Sequence, residues 1–151
     1  MMDGSTTISR ASRTDLGQIV ALLTAVNLPH DGVAEHLDGF LVARSRTGEL
    51  VGCIELERYG RLGLLRSAAV IPRLQRSGLG SRLTQSLMAG AAAGGVEEIV
   101  LLTTTARDFF ARRFGFAVVP RADYDQQLAA SPEWRLPCCS SAVCMKLNLA
   151  E

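Results

Sequence analysis

The stretch that decides the fold is Ala68-Ala69-Val70-Ile71-Pro72-Arg73-Leu74-Gln75-Arg76-Ser77-Gly78-Leu79-Gly80-Ser81. Its apolar beginning predicts a strand that stops at Pro72, and the two glycines after the basic loop predict the start of a helix. The first amides of a helix lack intrahelical partners and lie at the positive end of the helix dipole. Glycines there let a ligand approach the backbone. The stretch therefore predicts an anion site that suits a pyrophosphate.

The composition around this stretch is that of a globular protein. The chain has 151 residues, and we expect residues 1–151 to form a single domain. A net charge of +1 argues against binding to nucleic acid or to a membrane surface by bulk charge. No apolar run reaches the roughly 18 residues that span a bilayer, and the start shows no signal-peptide pattern. We therefore expect a cytoplasmic protein with no nucleic-acid or membrane partner.

Hydrophobic periodicity predicts a mixed sheet with helices. The predicted strands span residues 6–11, 40–44, 50–58, 62–71, 99–102, 116–119 and 142–149, and the predicted helices 12–27, 78–93 and 106–114. Short turns between the earlier strands predict an antiparallel meander, whereas the strand–loop–helix–strand unit from Leu64 to Leu102 predicts a right-handed parallel crossover. The polar residues 121–137 give a weak, partly helical pattern. The fold class is therefore α/β with a mixed, mostly antiparallel sheet.

The glycine loop fits neither of two common nucleotide motifs, because no Gly-Lys-Ser/Thr follows and Leu83 stands where a third glycine would be. Instead, Gln75-Arg76-Ser77-Gly78-Leu79-Gly80 resembles the Gln/Arg-x-x-Gly-x-Gly/Ala signature of the GNAT superfamily of N-acetyltransferases. Val70-Ile71-Pro72 and Phe114-Gly115-Phe116 resemble the same superfamily. The resemblance implies a GNAT-like fold, with its central parallel pair splayed at the cofactor site and helices on both faces. It also implies acetyl-CoA as co-substrate.

The resemblance assigns cofactor contacts along the chain. The backbone of Ala68, Ala69 and Val70 would run beside the pantetheine arm. The pyrophosphate would be held by the amides of Arg76, Ser77, Gly78, Leu79, Gly80 and Ser81. Thr104 would meet the cofactor after the next strand, and Phe110 on the following helix would pack near it or belong to the helix core.

Acetyl transfer requires a base for the amine, a proton for the thiolate and an N–H donor for the oxyanion. In the family, the oxyanion donor is a backbone amide before the loop, and Val70 is the candidate. Glu57 is the preferred base; it shares a strand face with Glu55, and a solvated sheet face is the alternative for both. Tyr124 is the candidate acid by analogy with relatives, and an ordinary half-buried tyrosine is the alternative.

Arg66 and Glu55 are the candidate residues for binding the acceptor. Arg66 could bind a substrate carboxylate through two hydrogen bonds, or form an internal ion pair with Glu55 or Glu57. The main hypothesis is transfer of acetyl to the primary amine of a small, amino-acid-like molecule. The alternatives are a catalytically degenerate acetyl-CoA sensor and an enzyme that modifies a protein N-terminus or lysine. A second copy of the chain, as a homodimer, is a further candidate partner.

Two further stretches indicate a narrower group within the superfamily. Residues 64–70 and 101–106 look like the acetyltransferase domain of N-acetylglutamate synthases, and still more like a small stand-alone subgroup associated with arsenic resistance operons. The tail from Leu136 to Met145 is similar to the same subgroup. The basic substrate loop of the synthases is replaced by Leu28-Pro29-His30-Asp31-Gly32-Val33, which makes glutamate a doubtful acceptor.

The four cysteines and two histidines predict no metal site. Cys138, Cys139 and Cys144 suggest a site for a soft metal or trivalent arsenic, because thiolates are soft ligands. Their spacing is not Cys-x-x-Cys and no histidine is near, so reduced structural thiols are favoured. Cys53 is predicted to be a small buried hydrophobe, and His30 and His36 to be loop or surface residues.

Overall fold

A computed structural model describes residues 6–30, 32–135 and 142–149. The strands are β1 (Thr7–Arg10), β2 (Phe40–Arg44), β3 (Leu50–Tyr59), β4 (Leu62–Val70), β5 (Glu98–Thr103), β6 (Ala117–Val119) and β7 (Val143–Asn148). They form a seven-stranded sheet in the order β1-β2-β3-β4-β5-β7-β6. β4 pairs with β5 in parallel, whereas β1–β2, β2–β3, β5–β7 and β6–β7 are antiparallel. The predicted mixed sheet is confirmed.

The helices are α1 (Leu16–Ala25), α2 (Leu79–Ala93) and α3 (Arg107–Phe114). A 3-10 turn precedes α1, and the Asp15 carboxylate accepts the Ser12 N–H at 2.8 Å there, as the predicted capping box requires. Gly115, with φ +82°, ends α3 in the left-handed region. Short 3-10 helices at Arg121–Tyr124 and Glu133–Arg135 lie in the polar stretch. Within the described residues, no helix is long and apolar enough to cross a membrane.

The chain divides into two compact units, and β3 and β4 pass through both. The first unit contains the described residues up to Leu56 together with Ser67–Gly90. Its core is formed by Ile19, Leu22, Leu23, Val33, Phe40, Val42, Leu50, Cys53 and Ala69. The second unit contains Glu57–Arg66 and the described residues from Ala91 onward. Its core is formed by Leu62, Leu64, Val100, Tyr124, Leu128, Trp134 and Cys144. The expectation of one domain stays a prediction.

The backbone of β4 changes course at Ser67. Its φ of +58° lies in the left-handed region, a conformation inside a strand that is typical of a β-bulge. The parallel ladder joins Leu62–Leu65 to Glu98–Leu101, whereas β4 itself continues to Val70. Beyond Ser67 the chain is still bonded to β3, because the Ile71 N–H donates to the Val51 carbonyl at 2.9 Å. The left-handed Ser67 therefore lies between the part of β4 that pairs with β5 and the stretch that leads to the loop.

Replacing Gly52 by alanine should lower the free energy of unfolding by about 1–3 kcal/mol, because the core has no room for a methyl group there. A Cβ on Gly52 would lie 3.0 Å from Leu83 Cδ1 and 3.3 Å from the Ala69 carbonyl oxygen. Gly90 is the matched control on α2, since a Cβ there meets nothing within 4 Å. Gly90→Ala should stabilise the helix by roughly 0.5–1 kcal/mol. Urea unfolding measures both, and equal effects would contradict the predicted packing of Gly52.

Candidate active site

The loop before α2 has the backbone of an anion site. Arg76 and Gly78 have φ values of +70° and +93°, and the residues from Gln75 to Gly78 are exposed. Left-handed residues in such a loop turn successive N–H groups toward one concave side. The Arg82 N–H donates the first α-helical bond to the Gly78 carbonyl at 3.1 Å, so the amides of residues 79–81 precede it. The amides predicted to bind pyrophosphate therefore belong to one loop and helix start. Two of them already have partners, since the Ser77 N–H donates to the Leu74 carbonyl at 3.2 Å and the Leu79 N–H to the Ser77 hydroxyl at 3.4 Å.

The shape and charge of this loop fit a pyrophosphate. A Cβ built on Gly78 meets no atom within 4 Å, so the space in front of its backbone is open. The Arg76 side chain is exposed beside it. Arg73, by contrast, is bound to Glu49 through an exposed ion pair at 2.8 Å. Arg76 is therefore the better placed of the two loop arginines to add positive charge to the site.

The end of β4 presents one edge of its backbone away from β3. Successive N–H groups of a strand point to opposite sides. Because the Ile71 N–H is directed at Val51 on β3, the Val70 N–H points the other way. The Val70 carbonyl, on that same edge, accepts the Gln75 side-chain amide at 3.0 Å. This orientation suits the proposed oxyanion donor, and Gln75 ties the strand end to the loop.

The second unit contains a buried ion pair. Arg66 Nη1 lies 3.0 Å from Glu57 Oε2, and both side chains are 1% exposed. Glu57 Oε1 accepts hydrogen bonds from the Tyr59 hydroxyl at 2.7 Å and the Ser131 hydroxyl at 2.8 Å. The solvated-face alternative is therefore wrong for Glu57, and the internal ion pair considered for Arg66 is observed. Three donors therefore hold the Glu57 carboxylate in place, two on Oε1 and one on Oε2.

Glu133 is a buried carboxyl that the sequence analysis missed. Its residue is 8% exposed, and among the described residues no hydrogen-bond donor reaches Oε1. Burial raises the pKa of Glu133 from its ordinary 4.5 to about 7, with the Glu57 charge adding to the increase and the charges of Arg66 and Arg121 opposing it. The hydrophobic periodicity of the sequence gave no reason to select Glu133, because this residue follows a proline in a polar stretch. Its charged neighbours Glu57 and Arg66 place it in a buried charge cluster, which consists of Glu57, Arg66 and Glu133.

The segment that carries Glu133 is anchored on both sides. Ser131, fully buried, donates to Glu57 on β3. Trp134 donates its indole N–H to Asp125 at 3.0 Å, and the Arg121 guanidinium lies 4.8 Å from the Trp134 ring centre and donates to its carbonyl. Glu133 therefore lies between two residues whose positions are set by specific contacts.

Glu133 should make the protein less stable as the pH rises. An acid whose pKa is raised in the fold binds its proton there while the unfolded chain releases it, so stability falls between pH 4.5 and about 7 and stays low above that. At pH 8, Glu133→Gln should unfold with a free energy higher by roughly 1–3 kcal/mol, and at pH 4 the difference should vanish. Urea unfolding across this range measures it. The surface variant Glu97→Gln should show no such trend, and a parallel trend in both variants would contradict the assignment.

Glu55, the candidate acceptor residue of the first unit, is also buried. It is 1% exposed, and the Ser67 hydroxyl donates to its Oε1 at a long 3.5 Å. The solvated-face alternative is therefore wrong here too. A ring nitrogen of His36 lies within 4.8 Å of a Glu55 carboxylate oxygen, so this histidine, expected on a loop, is half-buried beside a carboxylate. Cys53 is fully buried as predicted, and burial raises its pKa to about 12.

The Tyr124 hydroxyl is held at the start of β5. It donates to Glu98 Oε2 at 2.6 Å, and Glu98 is the first residue of the strand. Thr104, the predicted cofactor contact, follows the other end, roughly 20 Å along the strand. Burial, with the hydrogen bond to Glu98 as the next cause, raises the pKa of Tyr124 and makes it a weaker acid. The structure therefore does not bring Tyr124 and Thr104 together, and Tyr124 is buried rather than half-buried.

The remaining predicted residues belong to α3 and the tail. Thr104 is exposed, and its neighbour Thr103 accepts the Ala106 N–H at 2.8 Å before α3 begins. Phe110 is buried and makes edge-to-face contacts with Phe109 and Phe116, with ring centres 5.0 and 5.4 Å apart. This packing matches the helix-core alternative for Phe110.

The cysteine cluster is only partly described. Cys144 is a buried thiol whose pKa is raised to about 11 by burial. Cys138 and Cys139 lie outside the described residues, so the prediction of structural thiols is not tested at those two positions.

A mixed sheet with one parallel pair, and an exposed glycine loop between β4 and α2, form the arrangement predicted for an acyltransferase that uses coenzyme A. The chain belongs to the acetyltransferase (GNAT) family, whose model matches residues 13–116. It is therefore an acetyl-CoA-dependent N-acetyltransferase, and the predicted family is confirmed. An uncharacterized N-acetyltransferase of Chlorobaculum tepidum is 27% identical over 122 residues, which cover 80% of this chain and 74% of the relative.

Solved structures share the fold at low sequence identity. N-acetylglutamate synthase from Neisseria gonorrhoeae, complexed with coenzyme A and N-acetyl-glutamate, superposes with a TM-score of 0.80 at 21% identity. The match covers 97% of this chain and 35% of the synthase, so this chain spans about a third of that enzyme's length. The protein Rv2747 of Mycobacterium tuberculosis, solved with CoA, superposes with a TM-score of 0.76 at 22% identity. The match covers 94% of this chain and 98% of Rv2747.

Proposed function

We propose that this chain transfers the acetyl group of acetyl-CoA to the primary amine of a small, amino-acid-like acceptor, by direct attack in a ternary complex. The observation that carries the proposal is the course of β4. The strand carries Arg66, which is buried and paired with Glu57, then Ser67 with its left-handed φ, and it leads through Val70 to the proposed phosphate loop. One strand therefore carries both a proposed acceptor-binding residue and the proposed contacts to the cofactor.

Acetyl-CoA, when bound, supplies the activated carbonyl carbon. In the proposal, the amides of Arg76, Ser77, Gly78, Leu79, Gly80 and Ser81 hold its pyrophosphate. The outward edge of Ala68, Ala69 and Val70 pairs with the pantetheine arm, and the Val70 N–H donates to the developing oxyanion. Thr104 and Phe110 are proposed as further contacts. The two solved neighbours that contain CoA support a CoA site in this fold.

The proposed acceptor carries a carboxylate as well as an amine. The Arg66 guanidinium, which is paired with Glu57, and the Glu55 carboxyl are the residues proposed to bind this acceptor. The synthase neighbour was solved with N-acetyl-glutamate, which supports an amino-acid-like substrate. The relation to the arsenic-resistance subgroup, the cytoplasmic location and a homodimer stay predictions.

The proton-transfer roles predicted for Glu57 and Tyr124 receive little support from their hydrogen bonds. Glu57 accepts three of them, and Tyr124 donates its hydroxyl to Glu98. In the proposal, Glu57 therefore acts chiefly by holding Arg66, and removal of its charge by Glu57→Gln would affect the acceptor more than the cofactor.

The proposal is tested by incubating the protein with acetyl-CoA and three acceptor sets: L-amino acids, the same amines without their carboxylates, and short peptides. Mass spectrometry identifies the acetylated product. We expect N-acetyl amino acids, with the decarboxylated amines at least about tenfold slower, since they lose a charge-assisted hydrogen bond. Preference for peptides would indicate a protein N-terminal enzyme. Binding of acetyl-CoA, seen as a thermal shift, without turnover of any amine would indicate a sensor.

A further inference from the structure

We propose that residues 129–133 form a flap that opens to admit the acceptor to Arg66, and that the Ser131 hydroxyl is the latch that holds this flap closed. The inference deepens the proposed acetyl transfer and rests on its assignment of Arg66 to the acceptor. It names the segment that has to move and the hydrogen bond that has to break before the acceptor binds.

Arg66 is covered in this structure. Its side chain and that of its partner Glu57 are each 1% exposed. An acceptor carboxylate has to touch the guanidinium to form charge-assisted hydrogen bonds with it, and a side chain that is so deeply buried leaves no room for this contact. Binding of the acceptor at Arg66 therefore requires part of the surrounding packing to move.

The segment that carries Ser131 is the part that can move with the smallest loss of structure. Arg66 directly follows Leu62–Leu65, which form the parallel ladder with β5, and its partner Glu57 lies on β3. Moving either strand would break hydrogen bonds of the sheet. Ser131, by contrast, follows a stretch of turns, and its N–H donates locally to the Leu128 carbonyl at 3.0 Å. Segments held by local bonds open at a lower free-energy cost than strands in the middle of a sheet.

Two buried residues mark the ends of the flap. Leu128 is fully buried and Trp134 is 5% exposed, and both belong to the core of the second unit. Between them, Ala129 and Ala130 are exposed, so the chain leaves the core before it turns inward again at Ser131. The flap can therefore open while the core on either side stays packed.

The Ser131 hydroxyl closes the flap. It donates to Glu57 Oε1 at 2.8 Å, and Ser131 itself is fully buried. The other oxygen of the same carboxylate, Oε2, lies 3.0 Å from Arg66 Nη1. Hydrogen bonds to an ionised carboxylate are stronger than those between neutral groups. This hydrogen bond therefore joins the flap to the ion pair that contains the proposed acceptor-binding residue.

Glu133, at the other end of the flap, favours opening when it is ionised. It is 8% exposed, and among the described residues no donor reaches its Oε1. Burial raises its pKa to about 7; the charges of Arg66 and Arg121 oppose this increase, and the charge of Glu57 adds to it. Opening gives the carboxylate access to water and removes the cost of its burial. The flap should therefore open more readily as the pH rises from 4.5 to about 7.

Hydrogen exchange followed by mass spectrometry measures this opening without any acceptor. At pH 7, Ser131→Ala should raise the exchange rate of the flap amides about tenfold, because a hydrogen bond to a charged group is lost. Glu133→Gln should lower that rate about tenfold relative to wild type at pH 8 and leave it unchanged at pH 4. Ser45→Ala, which removes a serine hydroxyl between β2 and β3, is the control and should match wild type in the flap.

Steady-state kinetics with an amino acid acceptor tests whether the flap controls access to Arg66. When only the open form binds the acceptor, the apparent affinity rises with the population of that form. Ser131→Ala should therefore lower the KM for the acceptor by about the factor by which it raises exchange. Its kcat and its KM for acetyl-CoA should change less than about twofold, whereas general damage to the fold would lower kcat.

Three results would contradict the proposal in different ways. Unchanged flap exchange in Ser131→Ala would overturn the latch. Faster exchange with an unchanged or higher KM for the acceptor would overturn the control of access to Arg66. A wild type that acetylates no amine would overturn the proposed function and with it the link to the acceptor, and the exchange rates would still decide whether Ser131 holds the flap closed.

Discussion

Replacing Gly78 by glutamate should weaken acetyl-CoA binding by about 100-fold or more, because it sets a negative charge against the pyrophosphate. Protein atoms do not fill the space in front of Gly78, since a Cβ built there meets nothing within 4 Å. The new side chain would therefore occupy the space where the loop amides are proposed to meet the phosphates. Isothermal titration calorimetry of acetyl-CoA measures the loss directly.

Gly48 provides a matched control for this variant. It lies in an exposed turn with φ +91°, against +93° at Gly78, and its Cβ position is equally open. Both glutamate variants therefore carry the same backbone strain, so a difference in acetyl-CoA affinity between them cannot come from that strain. Gly48→Glu should bind acetyl-CoA with wild-type affinity. Equal affinities for the two variants would contradict the assignment of the loop.

Replacing Arg66 by methionine should lower the free energy of unfolding by about 3–5 kcal/mol, because it leaves Glu57 charged and buried without its partner. The Ser131 and Tyr59 hydroxyls would remain, but neither carries a positive charge. The double variant Arg66→Met with Glu57→Leu should recover most of the loss, since a well-packed apolar pair can replace a buried ion pair. Urea unfolding at pH 7 measures all three proteins.

The surface pair of Arg61 and Glu97 provides the control. Its atoms are also 3.0 Å apart, but the side chains are 78% and 49% exposed. Arg61→Met should therefore cost less than about 1 kcal/mol. If Arg61→Met and Arg66→Met destabilise the protein equally, burial is not what makes the Arg66 pair important.

Local patterns in the sequence predicted most of the fold. The strand ending at Pro72, the glycine loop and α2 depend on neighbouring residues, and the structure has each within a residue or two of its predicted position. The same holds for Gly115 at the end of α3. Glu57 and Arg66 could be chosen from the sequence as candidate site residues because both are charged residues within apolar strands.

Features that depend on distant contacts were not predictable. Ser67 adopts a left-handed φ, which a glycine at this position would have suggested but a serine does not. Tyr124 is held by Glu98, which is far away in sequence, so its distance from Thr104 followed only from the fold. The pKa of Glu133 is raised chiefly by burial and is then modified by the charges of Arg66, Glu57 and Arg121, which come from other parts of the chain.

The most direct measurement compares the affinities of wild-type protein for acetyl-CoA and for S-acetylpantetheine, which has the thioester and the pantetheine arm but no pyrophosphate. If the loop at residues 76–81 holds the pyrophosphate, acetyl-CoA should bind at least about 100-fold more tightly, by about 2.7 kcal/mol. Its affinity should also fall as salt is added, because exposed charges are screened. Equal affinities for the two ligands, or no binding of acetyl-CoA, would contradict the role of the loop.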